Sequence, residues 1–216
     1  MPSHFLNASG RLGSSISAVK DQIDRWLPPI AESLGIDSSS IDLVFRDAPF
    51  ETVQELGIGG LSLDGFTIFM SLDIARIGDV LPQQLPLTLA HELHHVARRR
   101  LGLDPRTLLD ALVTEGLADH FAGDIVGAPG PRWTKPFGGP NGMRIAARAE
   151  QEYDHICDWP RWFFGAGDLP RWAGYAVGFH LVGQFLRAHE DQTAASLVGA
   201  PAALFVSGRE PVPVAR

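Results

Sequence analysis

Leu85-Pro86-Leu87-Thr88-Leu89-Ala90-His91-Glu92-Leu93-His94-His95-Val96-Ala97-Arg98-Arg99-Arg100 is the stretch from which the rest of the chain is read. Leu85, Leu89, Leu93 and Val96 recur at the spacing of one helix face. Pro86 falls in the first turn, where a missing N–H costs nothing. Arg98, Arg99 and Arg100 suit a helix C-terminus, and Gly102 marks the stop. The spacing predicts a helix over 85–100, with the three arginines as its solvated end. Within it His91-Glu92-Leu93-His94-His95 is an HExxH sequence. Each helical residue advances ~100° and rises ~1.5 Å, so His91 and His95 stand ~40° and about one turn apart. Both imidazoles can reach one metal ion. Glu92, on the neighbouring flank, is placed to take a proton from water rather than to ligate. His94 is rotated ~60° from His91, away from His95, and reads as structural.

A catalytic zinc keeps three protein ligands and one open position. A histidine six residues after His95 would be one source of the third, but position 101 is leucine. The next helix supplies another. Asp104 reads as its N-cap and Pro105 as its first residue, with an end near Val126 and Gly127. The turn at 102–105 is short enough for the two helices to run antiparallel. From His95 to the turn and from the turn to Glu115 are comparable lengths, ~12–17 Å at helical rise, so Glu115 returns level with the histidines. Gly116 would allow a close helix approach. Asp119, four residues after Glu115, shares its face and is placed to accept a hydrogen bond from the second nitrogen of a ligand histidine. His120 lies off that face.

Upstream, Ile16, Val19, Ile23, Trp26, Leu27, Ile30 and Leu34 predict a helix over 14–34, with Pro28 and Pro29 expected to kink or break it and Gly35 to end it. Ile41–Phe45 is a short strand candidate. Residues 51–65, with Gly57, Gly59, Gly60 and Gly65, read as a turn-rich connection. Phe66–Leu72 (FTIFMSL) is the strongest strand signal in the chain. Downstream come a Gly/Pro-rich loop at 127–142, a helix near 143–155, an aromatic loop at 159–170, a helix near 171–188 and a short helix near 194–206. Trp159, Trp162, Phe163, Phe164 and Trp172 read as a core cover or as a hydrophobic substrate pocket. A small sheet followed by helices, with no linker, is the pattern of one α+β domain over 1–216.

Composition excludes several classes. Eighteen basic and 25 acidic residues leave a net charge of −7, which lacks the basic footprint of a nucleic-acid binder. One cysteine, Cys157, excludes an intramolecular disulfide framework and any zinc finger with two cysteine ligands. The N-terminus has no basic region leading into an apolar core, and Trp172–Leu186 is too short to span a bilayer. A cytoplasmic protein with no membrane partner is expected.

HELHHVAR at 91–98, TEGLADHFAG at 114–123 and GYAVGFHLV at 174–182 resemble a bacterial family of predicted zinc-dependent proteases. The likeness spans roughly 40–205. Over about 85–125 the chain is also similar to the gluzincins, the thermolysin-like peptidases, through HExxH, a later glutamate and an aspartate four residues beyond it. The resemblance implies a zincin-like α+β fold, in which a small N-terminal sheet packs on the active-site helix and a mainly helical part follows. It implies Zn²⁺ held by His91, His95 and Glu115, with Glu92 as general base and Asp119 orienting a ligand. It also makes FTIFMSL the edge strand along the substrate cleft. The chain is much shorter than thermolysin and has no counterpart of its calcium sites, so substrate subsites do not carry over.

The expected activity is hydrolysis of a peptide or protein substrate by activated water, with Glu92 moving the proton. A second group should steady the oxyanion. Tyr175 is the candidate, because a phenol can donate a hydrogen bond without changing charge, and His180 is its competitor. They lie ~140° apart on a helix, so only one can face the cleft. A zinc hydrolase of non-peptide amides or esters would use the same residues. A non-catalytic regulatory protein with a zincin fold would have no use for a complete set of His91, Glu92, His95 and Glu115.

Overall fold

The computed structural model describes residues 2–133 and 139–206. They form two compact units: residues up to Arg100 together with Asp124–Ala128, and Leu101–Gly123 together with those from Pro129 onward. The architecture is α+β, a small sheet with helices, as the sequence pattern predicts.

In the first unit, β1 (Ser3–Leu6), β2 (Asp42–Asp47), β3 (Ile58–Ser62) and β4 (Thr67–Leu72) form one sheet in the order β1-β2-β4-β3. β1–β2 and β2–β4 are parallel; β3–β4 is antiparallel. Alternate residues point to one face, and Leu43, Phe45, Ile58, Ile68, Met70 and Leu72 are buried there. α1 (Ile16–Leu34) buries Val19, Ile23, Leu27 and Ile30 and packs on α3 (Leu85–Arg100), which in turn packs on β3. A single turn, α2 (Ile77–Asp79), and a π turn at Val80–Gln84 run without a break into α3. α1 stays helical through Pro28 and Pro29. Both prolines are exposed, so the carbonyls that lose a partner face water, and the helix survives the loss.

FTIFMSL is not an edge strand: β4 lies between β2 and β3, and the edge of the sheet next to α3 is β3. The 51–65 stretch, expected to be all turn, contains this strand. Its glycines hid it, because strand signals come from β-branched and aromatic side chains. The glycines are there for room. A Cβ at Gly59 would sit 2.6 Å from the Glu51 carbonyl oxygen, and one at Gly60 2.5 Å from the Cγ of Glu92.

The end of α3 is not a solvated cation cluster. Arg98 is buried. The Arg99 guanidinium donates to the Leu63 carbonyl, and Arg100 donates to the carbonyls of Gly65 (2.6 Å) and Ser40 (3.0 Å). Arginines near a helix C-terminus thus tie down the β3–β4 hairpin.

In the second unit, α4 (Leu108–Val126) starts later than Asp104 and Pro105 suggest. Thr107 and Asp110 form a reciprocal cap. The Asp110 N–H donates to Thr107 Oγ1 (3.2 Å), and the Thr107 N–H donates to the Asp110 carboxylate (2.9 Å). α4 ends at Gly127, which adopts φ +72° as expected of a helix stop. α5 (Gly139–Glu152) begins inside the expected loop, whose residues 134–138 lie outside the described residues. α6 (Trp159–Phe163) is a short helix within the expected aromatic loop, and α7 (Ala173–Ala188) follows. In place of a last α-helix, 194–206 holds turns and one 3₁₀ segment, Ala202–Phe205.

α4 and α7 cross at two glycines. A Cβ on Gly116 would lie 2.3 Å from the Gly178 carbonyl oxygen, and one on Gly178 would lie 2.2 Å from that of Leu112. Gly116 therefore does allow a close helix approach, and the helix that approaches is α7. Further out, α5 and α6 are joined through charge. Glu152 accepts from Arg161 (2.8 Å) and Arg148 (3.2 Å), and Asp168 accepts from the same two arginines (2.9 and 2.6 Å). The arginines hold the Asp168 carboxyl down to about 2, and Glu152 is lowered for the same reason.

Candidate metal centre

α3 is buried around most of its circumference, with Leu89, Ala90, Leu93, Val96 and Ala97 in the interior. Glu92 and His94 are buried among them, while His91 and His95 are half-buried on the wetter flank. The one-turn spacing does what it predicts. The Nε2 atoms of His91 and His95 are 2.9 Å apart, with the rings edge to face. His94, fully buried, belongs to the interior.

A buried carboxylate needs donors, since an unsatisfied one costs several kcal/mol. Glu92 finds one on β3: the Ser62 backbone N–H donates to its Oε2 at 2.9 Å. Gly60, two residues earlier on the strand, lies so near that only hydrogen fits between its Cα and the Glu92 side chain. β3 therefore fixes Glu92 twice, by a hydrogen bond and by contact. The hold of β3 on Glu92 has no signal in the sequence, because the glycine that makes the contact carries no strand marker.

In the second unit Glu115 and Asp119 are both buried on α4. The indole N–H of Trp133 donates to Asp119 Oδ2 at 3.1 Å. The Trp133 ring stacks on Trp172 (centroids 5.4 Å, 26°) and leans on Tyr175 (5.7 Å). Tyr175 also meets Trp172 at 5.4 Å and Phe163 at 5.0 Å, both edge to face. Tyr175 is thus half-buried within an aromatic cluster that reaches Asp119, whereas His180 is exposed. Trp133 was missed from the sequence: a lone tryptophan in a Gly/Pro-rich loop has no spacing that ties it to Asp119. His120 has its own structural place, its Nε2 2.9 Å from the Phe179 carbonyl oxygen and its ring stacked on Phe179. Burial pushes the Cys157 thiol up to about 12, which disfavours the nucleophilic thiolate.

His91, His95 and Glu115 each offer a ligand atom within 4.8 Å of the others, and together they could hold a metal ion. Among the described residues no other group of three His, Cys, Asp or Glu does so. The donors suit zinc. Two imidazole nitrogens at ~2.0–2.1 Å from a tetrahedral ion stand about 3.3 Å apart, close to the 2.9 Å seen. Two histidines and a carboxylate would supply three ligands to a bound zinc, the number that catalytic sites use.

An HExxH helix with a later glutamate, in an α+β chain, defines a candidate metal-dependent hydrolase. The chain belongs to the family described as "Predicted Zn-dependent protease (DUF2268)", whose model matches residues 39–207. It is also 33% identical over 119 residues to the uncharacterized protein YjaZ of Bacillus subtilis (strain 168). That match covers 50% of this chain and 45% of YjaZ, so the chain spans less than half of that relative's length. No solved structure matches. Among the described residues no helix is long and apolar enough to cross a membrane.

Proposed function

We propose that the protein is a zinc-dependent peptidase whose metal is held by His91, His95 and Glu115. The observation that carries this reading is the convergence of these three side chains beside a buried glutamate anchored on β3. A zinc ion in that set would lower the pKa of water from about 15.7 toward ~7 and polarise the scissile carbonyl.

The chain's own residues supply the rest. Glu92 takes the proton of the attacking water and delivers it to the leaving amine. Its Oε2 is occupied by the Ser62 N–H, so Oε1 is the oxygen that exchanges the proton. Tyr175 donates a hydrogen bond to the developing oxyanion; its half-buried position beside the Trp133–Asp119 pair favours it over exposed His180. Asp119 orients a ligand imidazole.

The substrate lies along β3. The Asp73 N–H bonds the Gly57 carbonyl on the β4 side of the strand, whereas Ile58 and Ser62 bond outward, to Val53 and Glu92. By the same alternation Gly60 presents its N–H and C=O at the outer edge, within reach of a peptide main chain.

Incubating the zinc-loaded protein with mixed peptides and with small amides and esters tests this. Peptide cleavage that disappears in Glu92→Ala supports the proposal. Turnover of small amides or esters alone would point to a non-peptide hydrolase. Zinc binding without any hydrolysis would point to a non-catalytic protein.

A further inference from the structure

Asp119 is given a firm partner by a residue outside every motif in the chain. A buried carboxylate that must orient another group needs its own orientation fixed, because a freely turning carboxylate offers its lone pairs in many directions. Trp133 supplies a single N–H at 3.1 Å from Asp119 Oδ2. Indole has one donor and no acceptor, so this contact has one polarity in any protonation state of the surroundings.

The donor is itself held. The indole stacks on Trp172 and leans on Tyr175, which packs edge to face on Phe163. Trp172 adopts φ +72°, the one non-glycine residue among the described ones with positive φ. For a bulky side chain that conformation is strained, and it persists only where the surroundings over-determine it. Here the Arg171 guanidinium lies over one side of the Trp172 indole at 4.2 Å, and Trp133 stacks against the same ring system. In that conformation the Trp172 ring stacks against Trp133.

We propose that Trp133 is a positioning residue of the metal centre: clamped by Trp172 and Tyr175, its indole N–H fixes the Asp119 carboxylate that orients a ligand histidine. This rests on the zinc-site reading given above. Trp133 also leans on Tyr175, so zinc affinity rather than turnover is the readout that isolates its action through Asp119.

The test is a double-mutant cycle on zinc affinity, measured by competition with a chromophoric chelator, using wild type, Trp133→Phe, Asp119→Ala and the double variant. Phenylalanine keeps an aromatic ring in the stack and removes the donor. Asp119→Ala should weaken zinc binding about 10- to 100-fold. Trp133→Phe should weaken it about 5- to 10-fold, and the double variant should equal Asp119→Ala. Melting curves of the zinc-free proteins supply the second measurement. A packing role would lower the melting temperature without this non-additivity on zinc.

Wild-type affinity in Trp133→Phe, or the same fold-loss with and without Asp119, would overturn the inference while leaving the zinc site standing. Failure of wild type itself to bind zinc would overturn the site, and the inference with it.

Discussion

The two regions that carry the candidate centre are held by different means. On α3 and β3 the functional side chain is fixed by main chain: the Ser62 N–H binds Glu92, and the bare Cα of Gly60 abuts it. On α4 and α7 the fixing is done by side chains: the Trp133 indole binds Asp119, and aromatic rings lock Trp133 and Tyr175. A strand backbone holds its groups at set intervals and tolerates change in most side chains. A ring stack depends on the identity of every member. The first region should therefore fail mainly through catalysis when Glu92 or Gly60 is altered. The second should show losses of both function and stability.

The largest expected effect is that of Glu92→Ala, which removes the proposed proton carrier. Turnover should fall about 10²–10⁴-fold with zinc content unchanged, read by peptide cleavage beside elemental analysis. Tyr175→Phe comes next. If its phenol steadies the oxyanion, kcat falls about 10²–10³-fold, while His180→Ala stays near wild type; the reverse order would exchange their roles.

Gly60→Ala sharpens the contrast. Its Cβ would enter 2.5 Å from the Glu92 Cγ, so Glu92 must move. A displacement of about 1 Å should cost ~10² in kcat with little change in zinc affinity. Gly116→Ala is the matching probe of the second region. Its Cβ would meet the Gly178 carbonyl at 2.3 Å, so the α4–α7 crossing must open. Overpacking of this kind costs about 1–3 kcal/mol, seen as a melting temperature several degrees lower.

The smallest effect lies far from the centre. The Asp168 carboxyl is held down to about 2 by Arg161 and Arg148, below its ordinary 3.8. A depressed acid stabilises the fold above its unfolded value, and that contribution is lost as pH falls from about 4 to about 2. Asp168→Asn should make the melting temperature less steep across that window.

These differences mirror what could be read from sequence. His91, Glu92 and His95 are spaced one residue and one helical turn apart on a single helix, so their geometry is legible at once. Glu115 needed only one further turn and helix. β3 is not legible, because its Gly59 and Gly60 serve close approach and carry none of the strand's usual markers. β1 is four residues long and defined by pairing with β2, a long-range fact that local pattern does not hold. The α4 cap was misplaced because Asp104-Pro105 is a strong local start signal, and the Thr107–Asp110 pair that actually caps was outranked by it. Trp133 reaches Asp119 only through the packing of the folded chain, so no spacing announces it.

The central claim is that His91, His95 and Glu115 hold one zinc with an open position. Zinc-edge X-ray absorption on the purified protein, beside the zinc-to-protein ratio, addresses it most directly. One zinc per chain is predicted, with two imidazole nitrogens at ~2.0–2.1 Å, oxygen neighbours at ~2.0–2.2 Å, and one nitrogen lost in His95→Ala. A sulfur neighbour at ~2.3 Å, or a protein that takes up no zinc, would contradict it.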